Sequence, residues 1–211
     1  MAEQHKVEWS GHFEQFGAKT DMTFQNMTIS GDGQIHGAGS DSIGSFQLKG
    51  NITNGNQVHF DKAYTGAHTI VYKGTLESDG SIKGKWDLTG MTGDFEIQMK
   101  TKRWTGSHKA VGGMLLGAAN DLVVSLDLAE GNHIGVSGIG HDSRGSFTIS
   151  GVTPHEFEKK VISFRKVYFN NPKQKFFYAG VVIQEGGNEV IRGSWQLPGK
   201  EVGEFEITKQ H

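Results

Sequence analysis

The chain contains no cysteine, which excludes disulfide staples, thiolate metal ligands and thiol nucleophiles. Proline is scarce, at 3 of 211 residues. No apolar run approaches the roughly 18 residues that a membrane-spanning helix needs. The opening Met1-Ala2-Glu3-Gln4-His5-Lys6 lacks the apolar stretch of a secretory signal. Neither sign of charge dominates: 21 Lys and Arg stand against 23 Asp and Glu, for a net charge of -2. That balance supplies no strong field for nucleic acid or anionic lipid. The expectation is a cytoplasmic protein, although a processed secreted chain would look the same, with no nucleic-acid partner and no membrane span.

Glycine is abundant, at 31 of 211 residues, and 13 phenylalanines accompany it. Glycine-rich, proline-poor composition suits tight turns between short strands. Period-two alternation runs through most of the chain and signals half-buried strands. Ile82, Gly84, Trp86 and Leu88 alternate with Lys83, Lys85 and Asp87, and Phe95, Ile97 and Met99 alternate with Glu96, Gln98 and Lys100. Turn signals such as Ser30-Gly31-Asp32-Gly33, Asn54-Gly55 and Asp79-Gly80 separate these runs. The spacing predicts eight strands in the first half, near 7–13, 22–29, 33–40, 44–52, 57–65, 68–76, 81–88 and 94–101. Two later segments stand apart. Ala110 to Asn120 is small and apolar, and Pro154 to Lys160 has the makings of one helical turn.

The chain is also written twice. Gly39-Ser40-Asp41-Ser42-Ile43-Gly44-Ser45-Phe46 returns as Gly140-His141-Asp142-Ser143-Arg144-Gly145-Ser146-Phe147. Phe60-Asp61-Lys62-Ala63-Tyr64 answers Phe164-Arg165-Lys166-Val167-Tyr168, and Trp86 and Gly93 answer Trp195 and Gly203. The offset grows from 95 between Trp9 and Trp104 to 110 between Ile97 and Ile207, so the copies differ by small insertions between strands. The expected units are residues 1–102 and 103–211. Eight sequential antiparallel strands with one apolar face each bury their edges by closing on themselves. The predicted fold is therefore all-β: two tandem up-and-down meanders, each a small barrel. One larger merged barrel, or a sandwich, is the alternative.

Four stretches carry a likeness to a known family: Trp9-Ser10-Gly11, Gly31-Asp32-Gly33-Gln34-Ile35-His36-Gly37, Tyr64-Thr65-Gly66-Ala67-His68 and Ile82 to Leu88. Their order resembles avidin and streptavidin, which open on a Trp and a short polar loop. An Asp-Gly turn, a Tyr-x-x-Ala-His hairpin and an Ile-x-x-x-Trp-x-Leu strand then follow. The likeness spans most of the first copy and, more loosely, the second. It implies a calycin-type barrel, avidin-like or lipocalin-like. The biotin-contacting pattern is not carried over, since Gly11, Gly39 and Val71 stand where polar side chains would be wanted.

Duplicated polar and aromatic residues are the candidate ligand site. Val58, Phe60, Lys62 and Tyr64 share one strand face with an apolar majority, as do Ile162, Phe164, Lys166 and Tyr168. A lysine on such a face needs a partner, because an unpaired buried ammonium is costly. Asp41 lies on the face of Ile35, Gly37 and Gly39, and Asp142 on that of Val136, Gly138 and Gly140. They are the natural partners of Lys62 and Lys166. Each pair is either a structural closure of one barrel end or a polar anchor at a pocket mouth, and Asp41 could instead only cap its turn. Tyr72, Trp86, Tyr178 and Trp195 are likewise core rings or walls of an aromatic box. No histidine of the first copy keeps a histidine partner in the second, and no His-x-His spacing occurs, so no metal is implied. Neither a Gly-x-Ser-x-Gly nor a P-loop is present, and no cofactor is implied.

The leading reading is a non-enzymatic binding or interaction module whose partner is another protein or a small apolar ligand. A carrier of such a ligand and a carbohydrate-binding module are its rivals. An enzyme is least favoured, with His36, His59 and His68 the places to look. Biotin should not bind tightly. Each unpaired buried polar group on the ligand costs about 1–3 kcal/mol, and three positions lack side-chain partners. Calorimetry is expected to show no high-affinity uptake, and a nanomolar constant would mean the strands are misaligned.

Overall fold

The computed structural model describes residues 7–110, 122–129, 133–154, 160–199 and 201–210. The segments set apart in the sequence, Ala110 to Asn120 and Pro154 to Lys160, lie almost wholly outside them. The first half contains β1 (Trp9–Gln15), β2 (Ala18–Phe24), β3 (Thr28–Ile29), β4 (Gln34–Ser40), β5 (Ser45–Thr53), β6 (Gln57–Tyr64), β7 (Thr69–Leu76), β8 (Ile82–Leu88) and β9 (Met91–Met99). The second contains β10 (Lys102–Ala110), β11 (Leu122–Ala129), β12 (His133–Asp142), β13 (Gly145–Pro154), β14 (Val161–Tyr168), β15 (Asn171–Glu185), β16 (Asn188–Leu197) and β17 (Glu201–Lys209). Among the described residues none is helical, so no helix is long and apolar enough to cross a membrane.

The second half is a closed antiparallel barrel in chain order, shut by β10 against β17. In the first half the sheet runs β2-β1-β9-β8-β7-β6-β5-β4-β3, and its ends meet where Thr23 faces Ser40 and Phe24 faces Gly39. Strands of one half pair only within that half, which sets aside the merged barrel among the described residues. One strand departs from expectation. The run predicted at 22–29 divides between β2 (Ala18–Phe24), paired with β1 through a two-residue turn at Phe16-Gly17, and the two-residue β3 (Thr28–Ile29), paired with β4. Phe16 and Gly17 both adopt positive φ, 51° and 81°. Asn-Gly or Gly-Gly is the usual chemistry for such a turn, so a Phe-Gly pair does not announce itself.

Alternation decides what faces inward. β6 is strictly alternating, with Val58, Phe60, Lys62 and Tyr64 buried and their neighbours exposed. The outer faces carry Lys49, Asp61, Lys73 and Lys85 in the first barrel, the reverse of a membrane barrel, which presents an apolar belt outward. Each barrel has its own apolar core. Ile139 and Phe169 of the second half pack against the first core, and Val167 stands 3.3 Å from where a side chain on Gly31 would begin. The turns of the first barrel after β3 and β5 thus face the second barrel.

A device repeated in both copies closes the seam. The Trp86 indole nitrogen reaches over β9 and donates to the Glu14 carbonyl of β1 at 3.0 Å. It passes directly above Gly93, where a Cβ would stand 2.6 Å from the indole nitrogen. Trp195 does the same across Gly203, donating to the Lys109 carbonyl at 2.9 Å. The pairing of each tryptophan with a glycine opposite is therefore a steric requirement of barrel closure.

With a full strand ring and its own core, residues 1–102 should unfold cooperatively when expressed alone. Loss of Ile139 and Phe169 as cover should lower the melting temperature relative to the whole chain. Calorimetry of the fragment checks this, and a fragment without a cooperative transition would show that the halves do not fold separately.

Candidate functional site

The inward positions of β4, β5 and β6 converge at the end of the first barrel where the β4–β5 and β6–β7 turns lie. The Lys62 ammonium donates to Asp41 Oδ2, and the Tyr64 hydroxyl donates to the same oxygen at 2.7 Å. Asp41 Oδ1 accepts from the backbone N–H of Ile43 at 2.9 Å and of Gly44 at 3.3 Å. The ammonium also lies 3.4 Å from Met22 Sδ and over the rings of Phe46 at 4.3 Å, Phe13 at 4.8 Å and Tyr64 at 4.8 Å. Neither charged side chain has any solvent exposure. The second barrel repeats the cluster. Asp142 Oδ2 accepts from Lys166 and from the Tyr168 hydroxyl, the latter at 2.6 Å, and Oδ1 accepts from the Arg144 N–H at 2.9 Å.

The electrostatics follow from this geometry. Burial pushes the Asp41 carboxyl upward, but the hydrogen bonds from Lys62 and Tyr64 outweigh it and hold the carboxyl below its ordinary range. Asp142 is likewise held low, with the Lys166 charge opposing burial. Burial draws the Lys62 ammonium down, against the pull of Asp41. Burial and the adjacent carboxylates raise the Tyr64 and Tyr168 hydroxyls. An aspartate whose oxygens are already occupied by donors is poorly placed to take a proton from a substrate, and the arrangement is best suited to locking turn, strand and core together.

The other sequence candidates are aromatic. Tyr72 stacks on Phe60 with ring centroids 4.8 Å apart and meets Phe95 edge-on at 4.9 Å. Tyr178 stacks on Phe164 at 5.0 Å and meets Phe205 edge-on, also at 5.0 Å. Trp86 and Trp195 are the seam tryptophans already described. The structure thus brings Asp41, Lys62 and Tyr64 together, and Asp142, Lys166 and Tyr168, and puts the remaining candidates in ring stacks and seams. Among the described residues no three metal-ligating side chains converge.

A different feature escapes the sequence. On the outer face of the second barrel lies a groove of about 450 Å³ lined by Ser150, Ser163, Arg165, Phe177, Ser194 and Gln196. It continues past Ala179 and Ser194 into a hollow of about 680 Å³ bounded by Ser107, Lys109, Glu204 and Glu206. Phe177 is 46% exposed in a strand position that faces water. The duplication supplies a control. The matching outward residues of the first barrel are Lys49, His59, Asp61, Val71, Lys85 and Asp87. One of these, Lys85, is tied into an ion pair with Asp94 at 2.8 Å. Five charged or titratable side chains have thus become serine, arginine or glutamine, and a valine has become an exposed phenylalanine. Comparing the copies for what differs, rather than for what is shared, is the signal that would have found this face.

No family model matches the chain, and no curated protein matches it. Among solved structures, one similar chain is a Bacteroides fragilis protein provisionally described as an outer membrane protein. It is 11% identical, over 98% of this chain and 97% of that one, with a TM-score of 0.32. Another is a Nostoc punctiforme protein from a family of unknown function, 9% identical over 100% of both chains, with a TM-score of 0.24. At that distance neither bears on what this chain binds.

Removing Lys62 alone should leave the Asp41 carboxylate buried and uncompensated. Lys62→Met is expected to cost on the order of 3 kcal/mol, and Lys62→Met with Asp41→Asn less. The pH dependence follows from the same shifts. Folding favours ionised Asp41 and Asp142, so their contribution is full above the ordinary carboxylate range near about 4 and is lost progressively as pH falls from there through their lowered folded values. Folding also favours protonated Tyr64 and Tyr168, whose contribution is lost as pH rises above about 10, while the lowered Lys62 contributes with the opposite sign over the same window. Denaturant melts across pH test both limbs. An unchanged acid limb in Asp41→Asn would assign the acid sensitivity elsewhere.

Proposed function

We propose that the chain is a non-enzymatic binding module that takes a neutral carbohydrate on the outer groove of its second barrel. The observation that carries this reading is the replacement of a charged outer face by a groove lined with hydroxyl, amide and guanidinium groups around a half-exposed phenyl ring. Carbohydrates offer two kinds of surface: C–H faces that lie against an aromatic ring, and hydroxyls that exchange hydrogen bonds with neutral polar groups. Phe177 supplies the first kind of contact, and Ser150, Ser194, Gln196 and Arg165 supply the second. The groove crosses from β13 toward β17 and β10 rather than forming a closed pocket, a shape that suits several sugar units in a row.

The barrel interiors favour this outer site over a carrier role. Phe60, Tyr72 and Phe95 in one barrel, and Phe164, Tyr178 and Phe205 in the other, contact one another ring to ring. Space that an avidin-like or lipocalin-like carrier would give to its ligand is occupied by those rings. On this reading the likeness to avidin is one of barrel architecture, and the Asp–Lys–Tyr clusters serve stability.

Calorimetry with a panel of neutral hexasaccharides (gluco-, xylo-, malto- and chito-oligosaccharides) tests the proposal. At least one should bind in the micromolar to millimolar range and be recovered intact by mass spectrometry. Phe177→Ala should weaken that binding about tenfold, the worth of one ring contact, and Ser194→Lys, which restores the first barrel's residue, should weaken it too. Absence of binding across the panel at millimolar sugar, or binding indifferent to both substitutions, would sink the reading.

A further inference from the structure

Four large hydrophobic side chains stand out as exposed among the described residues, and three of them share one end of the first barrel. Phe16 is 89% exposed, Ile43 51% and Met91 40%. Phe16 is in the β1–β2 turn, Ile43 in the β4–β5 turn, and Met91 immediately follows the β8–β9 turn. β1 pairs with β9 and β2 with β4, so the turn bearing Phe16 is flanked by the turns bearing the other two. They place an apolar side chain at or beside three of the four turns on the rim at that end.

Local chemistry works against Phe16 being there by default. Phe16-Gly17 is a two-residue hairpin turn of the kind made in the second barrel by Gly186-Gly187, and in both turns each residue has a positive φ. A bulky side chain is disfavoured in that conformation and asparagine or glycine is preferred. The chain thus holds a phenylalanine in a backbone state that opposes it, and leaves the ring in water. The counterpart of the Phe16 turn lies outside the described residues, and the other two positions are not repeated in the second copy. Arg144 replaces Ile43 and lays its guanidinium over the buried Phe176 ring, 5.7 Å from the centroid, and Glu201 replaces Met91.

We propose that this rim docks on the surface of a neutral phospholipid bilayer. Three features favour lipid over a protein partner. The apolar residues project from separate turn tips and form no groove, whereas a rigid partner would need a matched pocket for each tip. A fluid interface closes around isolated tips, with Phe and aliphatic side chains entering the acyl boundary. Beside the rim Lys19 pairs with Glu14 at 3.3 Å, and Asp87, which accepts from the Gly90 N–H at 3.3 Å, keeps its negative charge. These groups offer no net positive charge to anionic headgroups, so the surface suits zwitterionic ones. Finally, in an up-and-down meander the rim lies at the end opposite to the turns at Gly31 and Gly55, which face the second barrel. Docking would therefore leave the second barrel and its outer groove in water. The inference stands independently of the carbohydrate reading.

Co-sedimentation of the full chain with phosphatidylcholine vesicles is the test. The natural chain should partition measurably at millimolar lipid. Phe16→Asn should weaken partitioning about tenfold or more, and Phe16→Asn with Ile43→Ser and Met91→Thr should abolish it. Asparagine suits the turn better than phenylalanine, so Phe16→Asn should melt no lower than the natural chain, which separates lost docking from lost folding. Three outcomes would overturn the proposal: no partitioning of the natural chain, partitioning equal in the rim variants, or binding only to salt-sensitive phosphatidylserine vesicles. Concentration-dependent self-association without vesicles, lost in the rim variants, would overturn it as well and assign the rim to a second copy of the chain.

Discussion

Each barrel buries a carboxylate and an ammonium under its turns, and neither charge could remain there without the other. Removing an ion from water costs several kcal/mol, and attraction in a low-dielectric interior repays it only when the remaining hydrogen-bonding positions are also filled. Asp41 meets that condition through Lys62, Tyr64 and two backbone N–H groups, and Asp142 meets it in nearly the same way. The requirement reaches outward from the pair. It fixes the β4–β5 turn, because Ile43 and Gly44 must present their N–H groups. It fixes the register of β6 against β5, and it demands rings around Lys62 to replace the water that the ammonium gives up. The clusters recur in both copies because no single member can be changed without leaving another unpaired.

Barrel closure imposes the second constraint. A seam tryptophan must reach across a neighbouring strand to a carbonyl on the next one, and only a glycine beneath it leaves room. This ties Trp86 to Gly93 and Trp195 to Gly203. Duplicated sequence therefore reports mostly on closure and core. The outer face is freer, since its residues answer to water rather than to one another. It is there that the copies have diverged: where the first barrel carries Lys49, His59, Asp61, Lys85 and Asp87, the second carries Ser150, Ser163, Arg165, Ser194 and Gln196 around an exposed Phe177. The same logic separates the turn ends: Arg144 folds back over its own barrel, while Ile43 points into water.

Much of the architecture was legible in the chain. Alternation in Val58 to Tyr64 assigns Lys62 to the interior, and the need to neutralise it points to Asp41 on a neighbouring apolar face. The division into two units followed from the repeat, and turn signals gave eight strands in the first half where the structure has nine, the extra one being the two-residue β3. The start of β2 was hidden because Phe16-Gly17 lacks the composition of its turn type. The outer groove was hidden for a different reason. Its residues, from Ser150 to Gln196, are scattered over four strands, and each alone reads as an ordinary surface position.

What the sequence by itself determined is the inside of this protein: periodicity states which side chains leave water, and burial of unlike charges dictates their pairing. What only the tertiary structure decided is which outward residues become neighbours. Curvature and strand order bring Phe177 beside Ser194 and Arg165, and the rim residues Phe16, Ile43 and Met91 to one end. Interior contacts are specified by a repeating pattern along each strand. Surface neighbourhoods depend on how the sheet bends and closes, which no single strand encodes.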